Sequence, residues 1–230
     1  MNDTTAVVTG ASSGIGAAVA RALGQAGATV VACARDADAL QSVVDDIEAG
    51  GGTASAVRAD VRDELDMERL METAARTGGR IDVLVANAAV AHGTPGEMRT
   101  PEESYAAFDD TLRTNVRGVF AAVKEALPHM ADDGRILVPS GSIAREAKPG
   151  MGAYAVSKAA AEALVRGFAA DCDRTVTVVD PGLVATDLTG GQGRDPDEVA
   201  DLFVWAATDA DPAEFDGDIA DLKAWKRATR

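Results

Sequence analysis

Cysteine is close to absent. Cys33 and Cys172 stand alone, without the spacing that disulfide frameworks or thiolate metal sites require, so both read as small core hydrophobes in a reducing compartment. Histidine is too sparse for a zinc site: His92 and His129 are widely separated, and no metal centre is expected, although His92 follows a predicted strand and could border a cleft. No apolar run reaches the roughly eighteen residues of a membrane span, and Met1-Asn2-Asp3-Thr4-Thr5 carries no basic stretch, so neither membrane insertion nor secretion is expected. Lysine is the scarcest charge. Only Lys124, Lys148, Lys158, Lys223 and Lys226 occur, and the net charge is −15. Such an imbalance repels nucleic acid and anionic membrane, which removes both as expected partners.

What remains is a chain of 230 residues, 47% hydrophobic, long enough to bury a full core and read as one domain over 1–230. Apolar runs at 6–9, 29–34, 54–59, 83–87, 135–140, 175–180 and 217–221 read as strands. Amphipathic stretches beginning near Ile15, Asp36, Asp63, Glu102, Met151 and Asp197 read as helices between them. Strands without internal alternation, separated by helices, predict a parallel sheet covered on both faces. The fold class is therefore α/β, a doubly wound Rossmann-type sheet of about seven strands, with ligands at the carboxyl ends of the strands.

Two short motifs carry chemistry. Gly10-Ala11-Ser12-Ser13-Gly14-Ile15-Gly16 joins the first strand to an alanine-rich helical stretch reaching Gln25. Gly10 permits a tight turn, Gly14 lets backbone approach a pyrophosphate, and Gly16 lets helix pack on strand. The helix N-terminus then offers unpaired N–H groups to phosphate. Alone this is an ordinary strand-to-helix loop; its place before a second βα unit starting at Thr29 favours a nucleotide. The second motif is Tyr154 with Lys158, one helical turn apart, where an ammonium favours the ionised phenol. A tyrosine titrating near ~10 is otherwise a poor base. The pair alone is also what a solvated lysine beside a half-buried ring looks like; it gains weight from the distant nucleotide loop.

The spacing G-x-x-x-G-x-G together with Tyr154-x-x-x-Lys158 resembles the short-chain dehydrogenase/reductase family, over nearly the whole chain. Thr9 to Gly16 match the family's cofactor loop. Asp60, beside Val61, resembles the acid that holds the adenine amino group, and Asn87-Ala88-Ala89 resembles the family's Asn-Ala-Gly with Ala89 replacing glycine. Asn115 sits where the family keeps the asparagine of its proton relay, holding a water that links Lys158 to solvent. Pro181-Gly182, with Val184 and Thr186, resembles the loop that grips the nicotinamide carboxamide. The resemblance implies a catalytic set of Asn115, Ser142, Tyr154 and Lys158. It implies a cofactor-binding set of Gly10, Ser12, Ser13, Gly14, Ile15, Gly16, Arg35, Asp60, Val61, Asn87, Tyr154, Lys158, Pro181, Gly182, Val184 and Thr186. The implied activity is reversible hydride transfer between a nicotinamide and a small-molecule carbonyl or alcohol, as in an aldehyde or ketone reductase or a 3-oxoacyl-type reductase. A cytoplasmic homodimer or homotetramer, joined through the helices containing Asn115 and Tyr154, is also implied.

Details qualify the match. The family's serine precedes the tyrosine by a count that lands here on Gly141; Ser142-Ile143-Ala144 fits if one residue is deleted from the following loop, with Ser140 as the fallback. Arg145 to Lys148 also departs from the family's usual glycine. At the end of the second strand an NAD-preferring enzyme presents a carboxylate, whereas this chain has Ala34 and then Arg35. A guanidinium fork there predicts NADP(H) in preference to NAD(H), even though Ser13 replaces a second basic residue of some relatives and Asp36 follows at once. The glycine-rich segment 187–196 predicts an open substrate cleft, and the basic tail 222–230 reads either as a dock for an acidic neighbour or as a frayed end with Trp225 packed on its own domain. Two other readings stand beside the enzyme: a non-catalytic dinucleotide-sensing or interaction protein on the same fold, against which Tyr154, Lys158 and Ser142 argue, and an epimerase, which usually needs a longer C-terminal substrate domain.

The surplus of 37 acidic residues over 22 basic ones costs self-repulsion that salt screens. An aspartate-rich, lysine-poor composition resembles proteins of organisms that keep molar salt in their cells, and a halophilic source is expected. The thermal midpoint should therefore rise steeply between dilute buffer and molar salt; equal stability in both would overturn the expectation.

Overall fold

Strands buried on both faces need apolar residues at every position, and the β-branched and small residues of this chain supply them. The computed structural model describes residues 1–230. Its strands are β1 (Thr5–Thr9), β2 (Thr29–Ala34), β3 (Thr53–Arg58), β4 (Ile81–Val85), β5 (Met130–Pro139), β6 (Thr175–Asp180) and β7 (Ile219–Asp221). All pair in parallel, in the order β3-β2-β1-β4-β5-β6-β7. Successive side chains point to opposite faces: Ala6 and Val8 join one core with Val30 and Ala32, while Val7 joins the other with Val31 and Cys33.

The helices are α1 (Gly14–Gln25), α2 (Ala37–Ala49), α3 (Glu64–Gly78), α4 (Tyr105–Leu112), α5 (Gly118–Ala126), α6 (Gly152–Asp171), α7 (Pro196–Thr208), α8 (Pro212–Phe215) and α9 (Leu222–Ala228). Leu23, Leu40 and Phe203, from α1, α2 and α7, fill the first core; Met67, Leu70, Val123 and Val165, from α3, α5 and α6, fill the second. Part of the acidic surplus serves this architecture. Asp36, Asp63, Asp195, Asp211 and Asp221 each accept a backbone N–H at the start of α2, α3, α7, α8 and α9, where a carboxylate cap contributes about 1 kcal/mol. No helix is long and apolar enough to cross a membrane.

The departures from the sequence reading have local causes. β5 begins at Met130, because Met130 pairs with Ile81 and a register irregularity then throws exposed Asp132 and Asp133 out of the ladder before Arg135 meets Val83. β4 correspondingly ends at Val85, releasing Asn87 to the loop. The helix expected near Glu102 starts at Tyr105, after a 3-10 turn holding Pro101, where Ser104 accepts the Ala107 N–H at 3.2 Å. It is interrupted by a π-helical turn over Arg113–Arg117, which no pattern of apolar residues announced. The C-terminal segment is helix α9, capped by Asp221 at 2.7 Å from the Ala224 N–H, with Trp225 packed against the first core. Cys33 is buried, but Cys172 is only half-buried at the end of α6.

The order of strands reverses its direction of growth beside β1: β2 and β3 lie to one side, β4 to β7 to the other. The loops after β1 and β4 therefore separate at the carboxyl edge and open a crevice there.

Candidate active site

The crevice is a cleft of about 1060 Å³, at the upper end of small-ligand sites and roomy enough for a dinucleotide with a small reactant. Its floor is built by Thr9 and Asn87. Thr9 Oγ1 accepts the N–H groups of Asn87 and Ala88 at 3.0 and 3.1 Å, and Asn87 Nδ2 donates to the carbonyls of Thr9 and Gly10 at 3.0 and 3.1 Å. These bonds lock the loop after β1 to the loop after β4. Two glycines are dictated by the resulting crowding. Gly10 has φ +65° and a Cβ there would lie 2.7 Å from Ala88 Cα; a Cβ at Gly16 would lie 2.2 Å from the Gly10 carbonyl oxygen.

Helix α1 starts at this loop, with Ser13 as a residue whose side chain makes no cap and with no acid in the first turn. Helices α2, α3, α4 and α7 all carry a side-chain cap. The leading N–H groups of α1 and the positive end of its dipole are thus left for an anion entering the cleft. A dinucleotide pyrophosphate fits this bare terminus and its glycine approach.

Every residue singled out from the sequence for cofactor or catalysis lines this one cleft, save Gly16 and Asn115. Gly16 packs behind the loop. Asn115 lies in the π-helical turn, 2% exposed, and its side chain makes three hydrogen bonds. Oδ1 accepts the Val90 N–H at 2.7 Å, while Nδ2 donates to the Val90 carbonyl at 2.9 Å and to Ser157 Oγ at 2.9 Å. These bonds clamp the loop after β4 to helix α6. Ser157 in turn donates to the Tyr154 carbonyl at 2.8 Å, so the clamp reaches the helical turn bearing Tyr154 and Lys158.

Lys158 is buried and its Nζ donates to the Pro139 carbonyl at 2.9 Å, 5.6 Å from the centre of the Tyr154 ring. Burial lowers its pKa to about 8 against the opposing pull of Glu162, and burial pushes the Tyr154 phenol up to about 12. In this arrangement burial acts against the depression expected from the lysine. The ammonium spends its bond on a carbonyl, and removing solvent from the phenolate outweighs a cation at that distance.

Both serines line the cleft and differ in their partners. Ser140 is buried and donates to Glu162 Oε1 at 2.7 Å, whereas Ser142 opens a short 3-10 turn at the cleft wall and accepts from Lys148 Nζ at 2.7 Å. Arg145 holds the base of this wall by pairing with Asp180, and Asp180 also accepts the Gly182 N–H at 3.0 Å. Asp60 is gripped by Arg62, whose hydrogen bonds keep its carboxyl below the usual range. His92 does not face the cleft; it meets Asp110 at 2.9 Å. At the end of β2, Arg35 is exposed and has no ion-pair partner, and Asp36, beside it, accepts the Ala39 N–H at 3.1 Å as the cap of α2.

The far wall is apolar, with Ile143, Met151, Leu183 and Leu188. Segment 187–196 is less open than its glycines suggested. Ala185 N–H donates to the Arg194 carbonyl at 2.7 Å, Arg194 N–H to the Leu183 carbonyl at 2.9 Å, and Thr189 Oγ1 to the Val184 carbonyl at 2.7 Å. Lys148, Asp180 and Met151 are cleft residues that the sequence reading passed over. Only the departure of 145–148 from glycine could have flagged Lys148, since residues in an irregular loop share no period.

Comparison with known proteins gives a consistent result. Residues 4–197 match the family model described as short chain dehydrogenase. A versicolorin reductase of Emericella nidulans is 39% identical over 188 residues, covering 80% of this chain and 70% of its own length; versicolorin reductase 1 of Aspergillus parasiticus is 40% identical with the same coverage. A short-chain dehydrogenase of Burkholderia cenocepacia, solved in complex with NADP, superposes with a TM-score of 0.86 at 30% identity, over 97% of both chains.

The buried lysine makes a pH prediction. With a folded pKa of about 8 against 10.5, the unfolded chain holds a proton between those values that the folded chain has lost. Stability from this group therefore rises with pH across that window, its penalty being fully present below about pH 8. Urea midpoints of the protein and of Lys158→Met should diverge there, with the native chain gaining relative to the variant as pH rises; parallel profiles would contradict it.

Proposed function

The chain belongs to the short-chain dehydrogenase family, as an oxidoreductase that interconverts carbonyl and CH–OH groups with a nicotinamide cofactor, and we propose that it is an NADP(H)-dependent reductase of aldehydes and ketones carried on apolar frames. The observation that supports these roles most is the sharing of one cleft by Tyr154, Lys158, Ser142 and the uncapped start of α1. Preference for the phosphorylated cofactor is supported by Arg35. Its guanidinium is free for a 2′-phosphate, and the adjacent Asp36 carboxylate is occupied as a helix cap. The apolar wall of Ile143, Met151, Leu183 and Leu188 supports the choice of frame, as do relatives named for reducing versicolorin.

When bound, the reduced nicotinamide supplies the hydride. Tyr154 gives its phenolic proton to the substrate oxygen, and Ser142 hydrogen-bonds the same oxygen as charge grows on it, where polar groups contribute most. A phenol held protonated by burial is suited to the reductive direction, because it arrives as an acid. Lys158 would hold the ribose hydroxyls, where its charge would favour the ionised phenol. Pro181, Gly182, Val184 and Thr186 hold the carboxamide edge, Asp60 and Val61 the adenine, and Asn115 positions the helical turn of Tyr154. The bonds from Thr186 N–H to Thr189 and from Gly182 N–H to Asp180 support the rigidity this grip needs.

Residues 1–230 act as a single Rossmann-type domain, and the free thiols of Cys33 and Cys172 support a reducing, cytoplasmic compartment. Exposed Tyr105, Phe120 and Val156, on α4, α5 and α6, support self-association into a homodimer or homotetramer through those helices.

Absorbance assays with phenanthrenequinone as a carbonyl probe test the reading. NADPH should be oxidised with a higher kcat/KM than NADH, and Arg35→Ser should narrow the gap. Tyr154→Phe should abolish turnover while leaving NADPH affinity, read by nicotinamide fluorescence, unchanged. A preference for NADH, or an active Tyr154→Phe, would overturn the assignment it addresses.

A further inference from the structure

We propose that Lys148 is a positioning residue for this reaction, holding Ser142 so that its hydroxyl presents a proton to the substrate oxygen; the proposal rests on the reading of Ser142 as the second donor to that oxygen. The starting observation is the 2.7 Å bond from Lys148 Nζ to Ser142 Oγ. An ammonium has three donors and no acceptor, so the bond has only one possible polarity. Ser142 accepts through a lone pair, and its single proton is left for another oxygen.

Ser142 is half-buried in the cleft lining. Gly141, just before it, is extended at φ −170° and carries no side chain to pack against it. Ser140 differs, being fixed by the buried Glu162. For Ser142 the side-chain partner is Lys148.

Glu146 completes the arrangement. Its Oε2 lies 3.2 Å from Lys148 Nζ, and its carboxyl is held below the usual range first by Lys148 and also by Ser142. Without the lysine that carboxylate would be the natural acceptor for the serine proton, turning it from the cleft. The ammonium bonds both groups, so it competes with the serine proton for the nearby carboxylate and frees that proton for the oxygen on which charge develops. In a chain with five lysines, both Lys148 and Lys158 line the cleft.

The test is a double-mutant cycle on NADPH-dependent reduction of phenanthrenequinone, with Lys148→Met, Ser142→Ala, the double variant and Lys148→Arg. NADPH affinity by fluorescence and the thermal midpoint are measured alongside. Lys148→Met is expected to lower kcat by about tenfold to a hundredfold, the loss of one charge-assisted bond, with KM and NADPH affinity little changed. Lys148→Arg should restore most of the loss, and the double variant should be no slower than Ser142→Ala. A fully active Lys148→Met beside an impaired Ser142→Ala would overturn the proposal while leaving the role of Ser142 intact. So would losses that multiply in the double variant, since Lys148 would then act independently. A fully active Ser142→Ala would overturn both.

Discussion

The buried carboxamide of Asn115 joins the two halves of the cleft. Its three bonds satisfy both backbone groups of Val90 and the hydroxyl of Ser157, tying the loop after β4 to the helix that carries Tyr154 and Lys158. Each of those groups, left unpaired in the interior, would cost about 1–3 kcal/mol, so the carboxamide fixes one geometry and penalises the rest. It stands on a π-helical turn, the kind of interruption that re-aims side chains near functional sites. With the Thr9 and Asn87 bonds on the other side, the carboxyl edge of the sheet becomes a rigid frame around a solvent-filled crevice.

Within that frame, charge is rationed. Acidic residues are abundant, and many are committed: five cap helices, Asp180 and Glu162 meet Arg145, and Asp60 and Asp110 share Arg62. Cations are scarce, and Arg35, Lys148 and Lys158 line the cleft. In the free arrangement Lys158 leans on a backbone carbonyl and Tyr154 keeps its proton well beyond neutral pH. The phenol is thereby held as an acid beside a buried lysine.

The fold was largely legible in the sequence, because a buried parallel sheet imposes uninterrupted apolar runs and the helices between them keep a clear period. The interval 29–34 and the end of β6 at Asp180 followed from that alone. Met130 was missed because two aspartates and a glycine interrupt its strand, and only pairing with Ile81 justifies their expulsion. The π-helical turn had no signature, since its residues continue a helical pattern whose hydrogen bonds are set by tertiary contact. In the cleft, glycines forced by close backbone approach were readable as a spacing. The partners of Asn115, Ser140 and Ser142 were not, because they lie 25, 22 and 6 residues away in loops or on neighbouring elements. The tyrosine's surroundings were hidden for the same reason: spacing gives proximity, while the direction of the lysine and the depth of burial come only from packing.

The most direct measurement is a crystal structure of the complex with NADP and a carbonyl-bearing inhibitor. The account predicts that the Tyr154 hydroxyl and Ser142 Oγ converge on one ligand oxygen beside the reactive carbon of the nicotinamide, with Lys158 turned from Pro139 to the ribose. A Tyr154 hydroxyl remote from that carbon, or turned to solvent with no room for a reactant, would contradict it.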